Sequence, residues 1–202
     1  MNFKALIGTT ALAIAGLAPA ALAAPITYAI DDMHSAAHFK VKHLMVSNVR
    51  GSFPEVKGTV VYDADHPEKS SIEATIGIAS IDTGNAKRDD HLRSADFFDA
   101  EKFPSMTFRS TKVAKAGKDS LKVTGDLTMH GVTRSVVLKV ALPAKAAKDP
   151  WGNMRTGTEA STRLNRKDFG LTWNKPVETG GVLVGEDIAI SLEVELIQQA
   201  KK

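Results

Sequence analysis

Apolar and polar residues alternate along most of this chain, with the period of two that is typical of β-strands with one buried and one exposed face. The alternation is clearest from Ile188 to Leu196, where apolar side chains occupy every second position. Seven further segments show this pattern or a strand-like composition: 35–41, 58–63, 72–78, 105–113, 121–129, 132–142 and 155–165. About eight antiparallel strands suit a closed barrel, because closure leaves no unpaired edge. The predicted fold is therefore all-β, a lipocalin-like antiparallel barrel.

One segment departs from the alternation. Residues 86–94 contain helix formers and no β-branched residue, and Thr83 or Asn85 is a suitable N-cap. Phe97 and Phe98 follow closely. The pattern predicts one short helix between strands, which either covers an end of the barrel or crosses its surface.

The first 23 residues have the features of a secretory signal peptide. Lys4 precedes a short apolar run at 5–17, and Ala21-Leu22-Ala23 is a small-x-small cleavage site. The apolar run is short for a membrane anchor, which is the alternative interpretation. We predict cleavage after Ala23 and a single barrel domain at 24–202, exported to a bacterial periplasm without stable membrane insertion.

Composition excludes several classes of protein. The chain has no cysteine, so disulfides, thiolate metal sites, iron–sulfur clusters and a cysteine nucleophile are excluded. A formal net charge of +3 is too small to indicate a nucleic-acid partner. No cysteine follows the predicted cleavage site, so lipid attachment there is excluded as well.

Catalytic motifs are few. The six histidines are dispersed, and His34 and His38 would lie about 13 Å apart on a strand at ~3.3 Å per residue, too far for one metal ion. The chain contains no G-x-S-x-G motif and no phosphate-binding glycine loop. No pair of carboxylates stands out for glycoside chemistry. We therefore predict no catalytic residue, no metal and no cofactor.

The predicted inner face contains several small residues. An eight-stranded barrel either fills its interior with side chains or holds a ligand there. Five small inward residues favour the second arrangement: Ser35, Ala37, Ala74, Gly125 and Ala160. The alternative is that a glycine there only relieves crowding between strands. Burial of a long hydrocarbon chain would supply affinity with few polar contacts, since each methylene contributes ~0.8 kcal/mol.

The order of several motifs resembles the YceI-like family. The motifs are Asp31-x-x-His34-Ser35, Arg88-Asp89-x-His91-Leu92, Asp96-Phe97-Phe98-Asp99, His130-Gly131-Val132-Thr133, Arg166-x-Asp168-Phe169-Gly170-Leu171-x-Trp173 and Val184-Gly185-x-x-Ile188. The resemblance implies a periplasmic barrel that binds polyisoprenoids or similar long-chain amphiphiles, such as quinones, in its lumen. It also implies a non-enzymatic protein that is often a homodimer.

Strand parity then predicts which residues contact the ligand. The predicted lumen lining is Phe39, Val41, Ile76, Ile78, Met106, Phe108, Val123, Leu127, Val136, Leu138, Ile190 and Leu192, with Trp173 lining or closing the tunnel. Candidates for contact with a polar head group are His43, Arg88 and His91, although the motif around Arg88 also suits a turn-stabilising role. The competing hypothesis is a lipid-acting or metal-dependent hydrolase that uses histidines at the barrel mouth.

Overall fold

The structure, a computed structural model, describes residues 24–177 and 181–200. The predicted signal peptide, residues 1–23, lies outside the described residues, and so does Gly180, which the sequence places in a turn before the last strand. The strands are β1 (Ile26–Ile30), β2 (Ala36–His43), β3 (Ser47–Phe53), β4 (Val56–Tyr62), β5 (Ser71–Gly77), β6 (Ser105–Lys115), β7 (Ser120–Met129), β8 (Val132–Ala141), β9 (Ala147–Lys148), β10 (Met154–Asn165) and β11 (Val184–Gln198). The helix α1 spans Ala86–Arg93, and short 3₁₀ turns lie at Pro67–Lys69, Ile78–Ser80 and Arg166–Phe169.

The strands close into an antiparallel barrel. Around the wall the order is β11, β1, β4, β5, β6, β7, β8 and β10, and β10 pairs again with β11. The predicted class, an all-β barrel of eight strands with one short helix, is confirmed. Among the described residues no helix has the length and apolar character needed to cross a bilayer.

Two wall positions are each made of two strands placed end to end. β1 and β2 both pair with β11, β1 near Leu196 and β2 between Val184 and Glu193. On the other side, β4 pairs with β1 and β3 pairs with β2. The β2–β3 hairpin therefore extends the wall toward the end of the barrel at which β11 begins.

Helix α1 lies at that same end. The Asn85 side chain accepts a hydrogen bond from the Arg88 amide at 3.1 Å, so Asn85 is the N-cap. Thr83, the other candidate, instead donates its amide and hydroxyl to the buried carboxylate of Asp89. Leu92 packs against the hydrophobic core, and the helix therefore covers one end of the barrel.

Candidate functional site

The inward faces of the strands form two apolar clusters. The cluster nearer α1 is built from ten buried residues: Ala37, Phe53, Val56, Ile78, Ile81, Met106, Met129, Val136, Phe169 and Leu171. A smaller cluster fills the opposite end: Val113, Leu121, Val123 and Val140. Phe108 packs against both, so its ring lies between them along the barrel.

Parity places most of the predicted lining residues in or against these clusters. Ile78, Met106, Val123 and Val136 are buried members. Six of the others pack against the clusters with part of their surface accessible: Phe39, Ile76, Phe108, Leu127, Leu138 and Leu192. Val41 is buried outside both clusters. Ile190 is half-buried and lies directly opposite Phe39.

Several inward side chains are only half-buried. Along β10 and β11 these are Ala160, Leu164, Ile190 and Leu192. On β4 and β5 the inward residues Val60, Ile72 and Ile76 are half-buried as well. Neighbouring side chains therefore leave part of the inward apolar surface uncovered.

Small inward residues do not all leave space in the lumen. A Cβ added to Gly125 would lie within 2.6 Å of both the Phe108 ring and the Arg109 carbonyl oxygen. A Cβ on Gly51 would lie within 2.7 Å of the Phe39 ring. Of the two roles open to an inward glycine, the structure supports relief of crowding for Gly125, because the aromatic ring of the neighbouring strand occupies the space that the missing side chain leaves.

This contact makes Gly125 sensitive to the smallest substitution. We expect Gly125→Ala to lower the free energy of unfolding by about 1–3 kcal/mol, since the ring and a backbone oxygen must both move. Gly157→Ala is the matched control, because its nearest contact would be an ordinary 3.5 Å. Urea unfolding of the two variants measures the difference, and equal stabilities would contradict the packing described here.

The barrel wall is incompletely paired at one place. β10 pairs with β11 along its length, from Arg155–Ile197 to Asn165–Asp187, but with β8 only at Ala160–Val140 and Ser161–Lys139. Toward Val132, β8 has no backbone pairing with β10 among the described residues. We call this seam, between 135–138 of β8 and 162–165 of β10, the β8–β10 gap. The half-buried side chains of Leu138 and Leu164 border it.

The three head-group candidates occupy different environments. Arg88 donates from Nε to the Thr83 hydroxyl at 2.7 Å and from Nη2 to the Thr83 carbonyl at 2.8 Å. His91 bonds Asp96 at 2.8 Å and packs edge-on against Phe97 and Trp173. His43 is half-buried and ends β2. Arg88 and His91 are thus held by partners of their own, and the contact of each of the three candidates with a ligand stays a prediction.

Trp173 lies beside α1, away from the middle of the lumen wall. Its ring centroid is 4.8 Å from that of His91 and 5.0 Å from that of Phe97. The Lys175 ammonium lies 5.9 Å from the same ring. Of the two predicted roles, this position suits closing the barrel end better than lining the tunnel.

Arg166 is a buried cation held by backbone. Its guanidinium donates to the carbonyl oxygens of Leu171, Val184 and Gly185, the last at 2.9 Å. Burial lowers its pKa below the ordinary value. Because three carbonyls from two segments share this one side chain, Arg166 fixes the chain after β10 to the start of β11.

A charged network lies on the outer wall. Arg155 on β10 donates to Asp31, Asp149 and Glu195, with Nε 2.7 Å from Asp149 and Nη1 2.6 Å from Glu195. His34 Nδ1 lies 2.8 Å from Oδ2 of Asp31, the same carboxylate oxygen that accepts from Arg155. The side chains of Asp31 and Asp149 are only 8% and 7% exposed. The network ties the β1–β2 junction and the 149–153 turn to β10 and β11.

Hydrogen bonds set the protonation of this network. Burial raises the pKa of Asp31, but the hydrogen bonds from His34, Arg155 and the Met33 amide outweigh it and hold the pKa at about 2. Burial also opposes ionisation of Asp149, and bonds from Arg155 and Asn153 lower its pKa nevertheless. The Asp31 hydrogen bond raises the pKa of His34.

The histidines do not converge on one centre among the described residues. His34 bonds Asp31, His91 bonds Asp96, and His130 Nδ1 lies 3.3 Å from the Phe169 carbonyl oxygen. Asp31, His34 and Glu195 place ligand atoms within 4.8 Å of one another. The Arg155 guanidinium already binds both carboxylates, and a metal ion there would have to displace it.

A closed antiparallel barrel of eight strands with apolar inward faces is an architecture that can hold one small hydrophobic ligand. The chain belongs to the YceI-like family, since the model of the YceI-like domain matches residues 28–196. Among curated relatives, UPF0312 protein plu2095 of Photorhabdus laumondii is 41% identical over 190 residues, which cover 94% of this chain and 96% of the relative.

Solved structures agree with this assignment. A YceI protein of Campylobacter jejuni superposes with a TM-score of 0.66 at 34% identity, over 79% of this chain and 90% of that one. A polyisoprenoid binding domain from Saccharophagus degradans superposes with a TM-score of 0.62, over 86% of this chain and 99% of that one. At 14% identity the second likeness concerns the fold alone.

Proposed function

We propose that this protein is exported to the periplasm and there binds a polyisoprenoid or similar long-chain amphiphile, such as a quinone, inside its barrel, as a carrier or store and not as a catalyst. The observation that carries the proposal is the row of half-buried apolar side chains on the inward faces of β10 and β11, beside the β8–β10 gap. The Saccharophagus domain, which is described as polyisoprenoid binding, supports it through the shared fold.

The energetics are sufficient without catalytic chemistry. Burial of ~20 methylenes at ~0.8 kcal/mol each supplies ~16 kcal/mol. Association costs ~4–15 kcal/mol, so a long chain retains net affinity where a short one does not. A lumen lined by aliphatic and aromatic side chains therefore selects for chain length more than for a head group.

The β8–β10 gap offers a way in. Its four residues on each strand correspond to about 13 Å at ~3.3 Å per residue, and an extended hydrocarbon chain could enter there. Leu138 and Leu164 border it with half-buried apolar surface. Arg134 lies in the inward register of β8 opposite Leu127 but is exposed, and it is the cation best placed to meet an anionic head group at this opening.

The proposal is tested on protein expressed as the full chain and recovered from the periplasm. We expect N-terminal sequencing to begin at Ala24, and organic extraction followed by mass spectrometry to release a long-chain isoprenoid in near-stoichiometric amount. Delipidated protein should take up an added polyprenol again. A barrel that is empty and does not take up the added polyprenol would contradict lipid binding. A protein that keeps its leader and stays in the cytoplasm would contradict export.

A further inference from the structure

We propose that the β2–β3 hairpin is a docking element for an anionic lipid bilayer, with its turn inserted among the lipids and its basic strands in the head-group layer. The turn is Leu44-Met45-Val46, between β2 and β3. Its three side chains are 39%, 57% and 80% exposed. Three consecutive exposed apolar residues at a hairpin tip are costly in water and suit an apolar partner.

The backbone of the turn has a conformation that disfavours large side chains. Leu44 and Met45 both have positive φ, 51° and 62°, and the Val46 amide bonds the His43 carbonyl at 3.1 Å. A turn with two left-handed central residues favours Asn-Gly, because large side chains are strained there. The chain instead places its two largest turn residues at these positions. Such a departure from local preference is expected at functional sites.

The charge of the hairpin indicates the charge of its partner. No acidic residue occurs between Asp32 and Glu55, whereas this stretch carries Lys40, Lys42 and Arg50. Phe39 packs inward, so the neighbouring lysines face outward, and Lys40 is directly opposite Arg50. The outer face of the hairpin is therefore cationic, and the surface that complements it is anionic.

A shallow groove lies along this cationic face. It has a volume of about 430 Å³, and its lining includes His38, Lys40 and Arg50 with the small residues Ala189 and Ser191 of β11. Glu193 is the acidic residue that lines its far end. The groove therefore adds to the positive potential of the outer face of the hairpin.

The distances fit a bilayer. At ~3.3 Å per residue, Lys42 lies about 7–10 Å from the tip, and Lys40 and Arg50 about 13–17 Å. The head-group layer is several ångströms deep, and the field of an anionic surface extends about 8–10 Å beyond it at physiological salt. With the tip below the head groups, all three cations remain within reach of that field. Apolar insertion together with basic contacts gives the reversible binding of a peripheral protein.

The experiment is co-sedimentation of the mature protein with two kinds of vesicle: pure phosphatidylcholine, and three parts phosphatidylcholine with one part phosphatidylglycerol. We expect binding to the anionic vesicles only, weakened by salt. The double variant Leu44→Asn with Met45→Gly should bind about tenfold less, while its melting temperature is unchanged or raised because the turn is relieved of strain. A loss of binding in a variant that is at least as stable cannot come from unfolding.

Matched variants separate the hairpin from general charge effects. Lys40→Glu with Arg50→Glu should also lose about tenfold. The control is Lys122→Glu with Lys139→Glu, another exposed cationic pair that faces across β7 and β8; it should bind within about twofold of the parent. A filled lumen, as in Ala160→Phe, should leave sedimentation unchanged, so this proposal stands or falls separately from lipid binding in the barrel.

Several results would overturn the proposal. One is a parent protein that fails to sediment with anionic vesicles, and another is undiminished binding by Leu44→Asn with Met45→Gly. Equal losses in the two charge-reversal pairs would show that net charge and not the hairpin is responsible. If the turn variant instead converts a dimer to a monomer with vesicle binding intact, the tip is a contact between two copies of the chain.

Discussion

Arg155→Ala is expected to lower the midpoint of thermal unfolding at pH 7 by about 5–10 °C. The substitution leaves the nearly buried carboxylates of Asp31 and Asp149 without the cation that both of them bind. A buried charge that loses its partner costs far more than the pair contributed, because no water replaces the lost hydrogen bonds. The effect should be large although Arg155 belongs to neither apolar cluster.

The matched control is Arg109→Ala. Arg109 pairs with Glu73 at 3.3 Å across β5 and β6, but both side chains are well exposed, at 78% and 63%. Exposed pairs of this kind contribute little, and a shift below about 2 °C is expected. Equal shifts in the two variants would mean that the outer-wall network stabilises the fold no more than an exposed ion pair does.

The same network predicts how stability depends on pH. The folded pKa of Asp31 is about 2, below its unfolded value of 3.8, so its contribution is present above pH 4 and is lost as the pH falls toward 2. The lowered pKa of Asp149 acts in the same direction. The folded pKa of His34 is raised, so its contribution is complete below about pH 6.5 and is lost as the pH rises through the folded value. The stabilisation that the network contributes is thus complete between about pH 4 and pH 6.5.

Thermal scans across this range give a further check on Arg155→Ala. The difference between parent and variant should shrink steadily below pH 4, as the carboxylates that Arg155 binds become protonated. A difference that stays constant down to pH 2 would show that Arg155 stabilises the protein by packing and not through Asp31 and Asp149.

Alternation predicts the faces of strands better than their pairing. β11 extends the alternating segment that starts at Ile188, because a period of two needs only local sequence to assign inside and outside. β3 lacks the pattern: its inward positions are Val49, Gly51 and Phe53, and only the last is buried. Gly51 is small because the Phe39 ring covers it, which local sequence cannot show.

Features that depend on residues far apart in the chain could not be predicted from the sequence. The motif Asp31-x-x-His34 marks one end of the outer-wall network, but its partner Arg155 is 124 residues away and carries no signal of its own. The β8–β10 gap is likewise a property of register, since both strands alternate normally on either side of it. The hairpin tip did leave a local signal, namely consecutive large apolar residues between basic strands.

A lumen-filling variant addresses whether the lumen is the binding site. Ala160→Phe places a ring on the inward face of β10, where Ala160 is half-buried against the smaller cluster. The ring occupies the volume of roughly five methylenes, worth ~4 kcal/mol of burial, part of which a ligand recovers by sliding along the lumen. We expect uptake of an added polyprenol to fall at least about tenfold, measured as lipid extracted per protein.

Ser161→Phe is the control, one residue along the same strand. Ser161 is exposed and faces outward opposite Ser191 of β11, so an equally large ring there adds nothing to the lumen. Uptake should match that of the parent.

If the barrel is hollow at Ala160, the Ala160→Phe variant also keeps a melting temperature near that of the parent, because the ring enters vacant space. If the site is solid, overpacking lowers the free energy of unfolding by about 1–3 kcal/mol and leaves uptake unaltered. The two measurements move in opposite ways in the two cases, so this pair of variants decides between a ligand-filled and a side-chain-filled barrel.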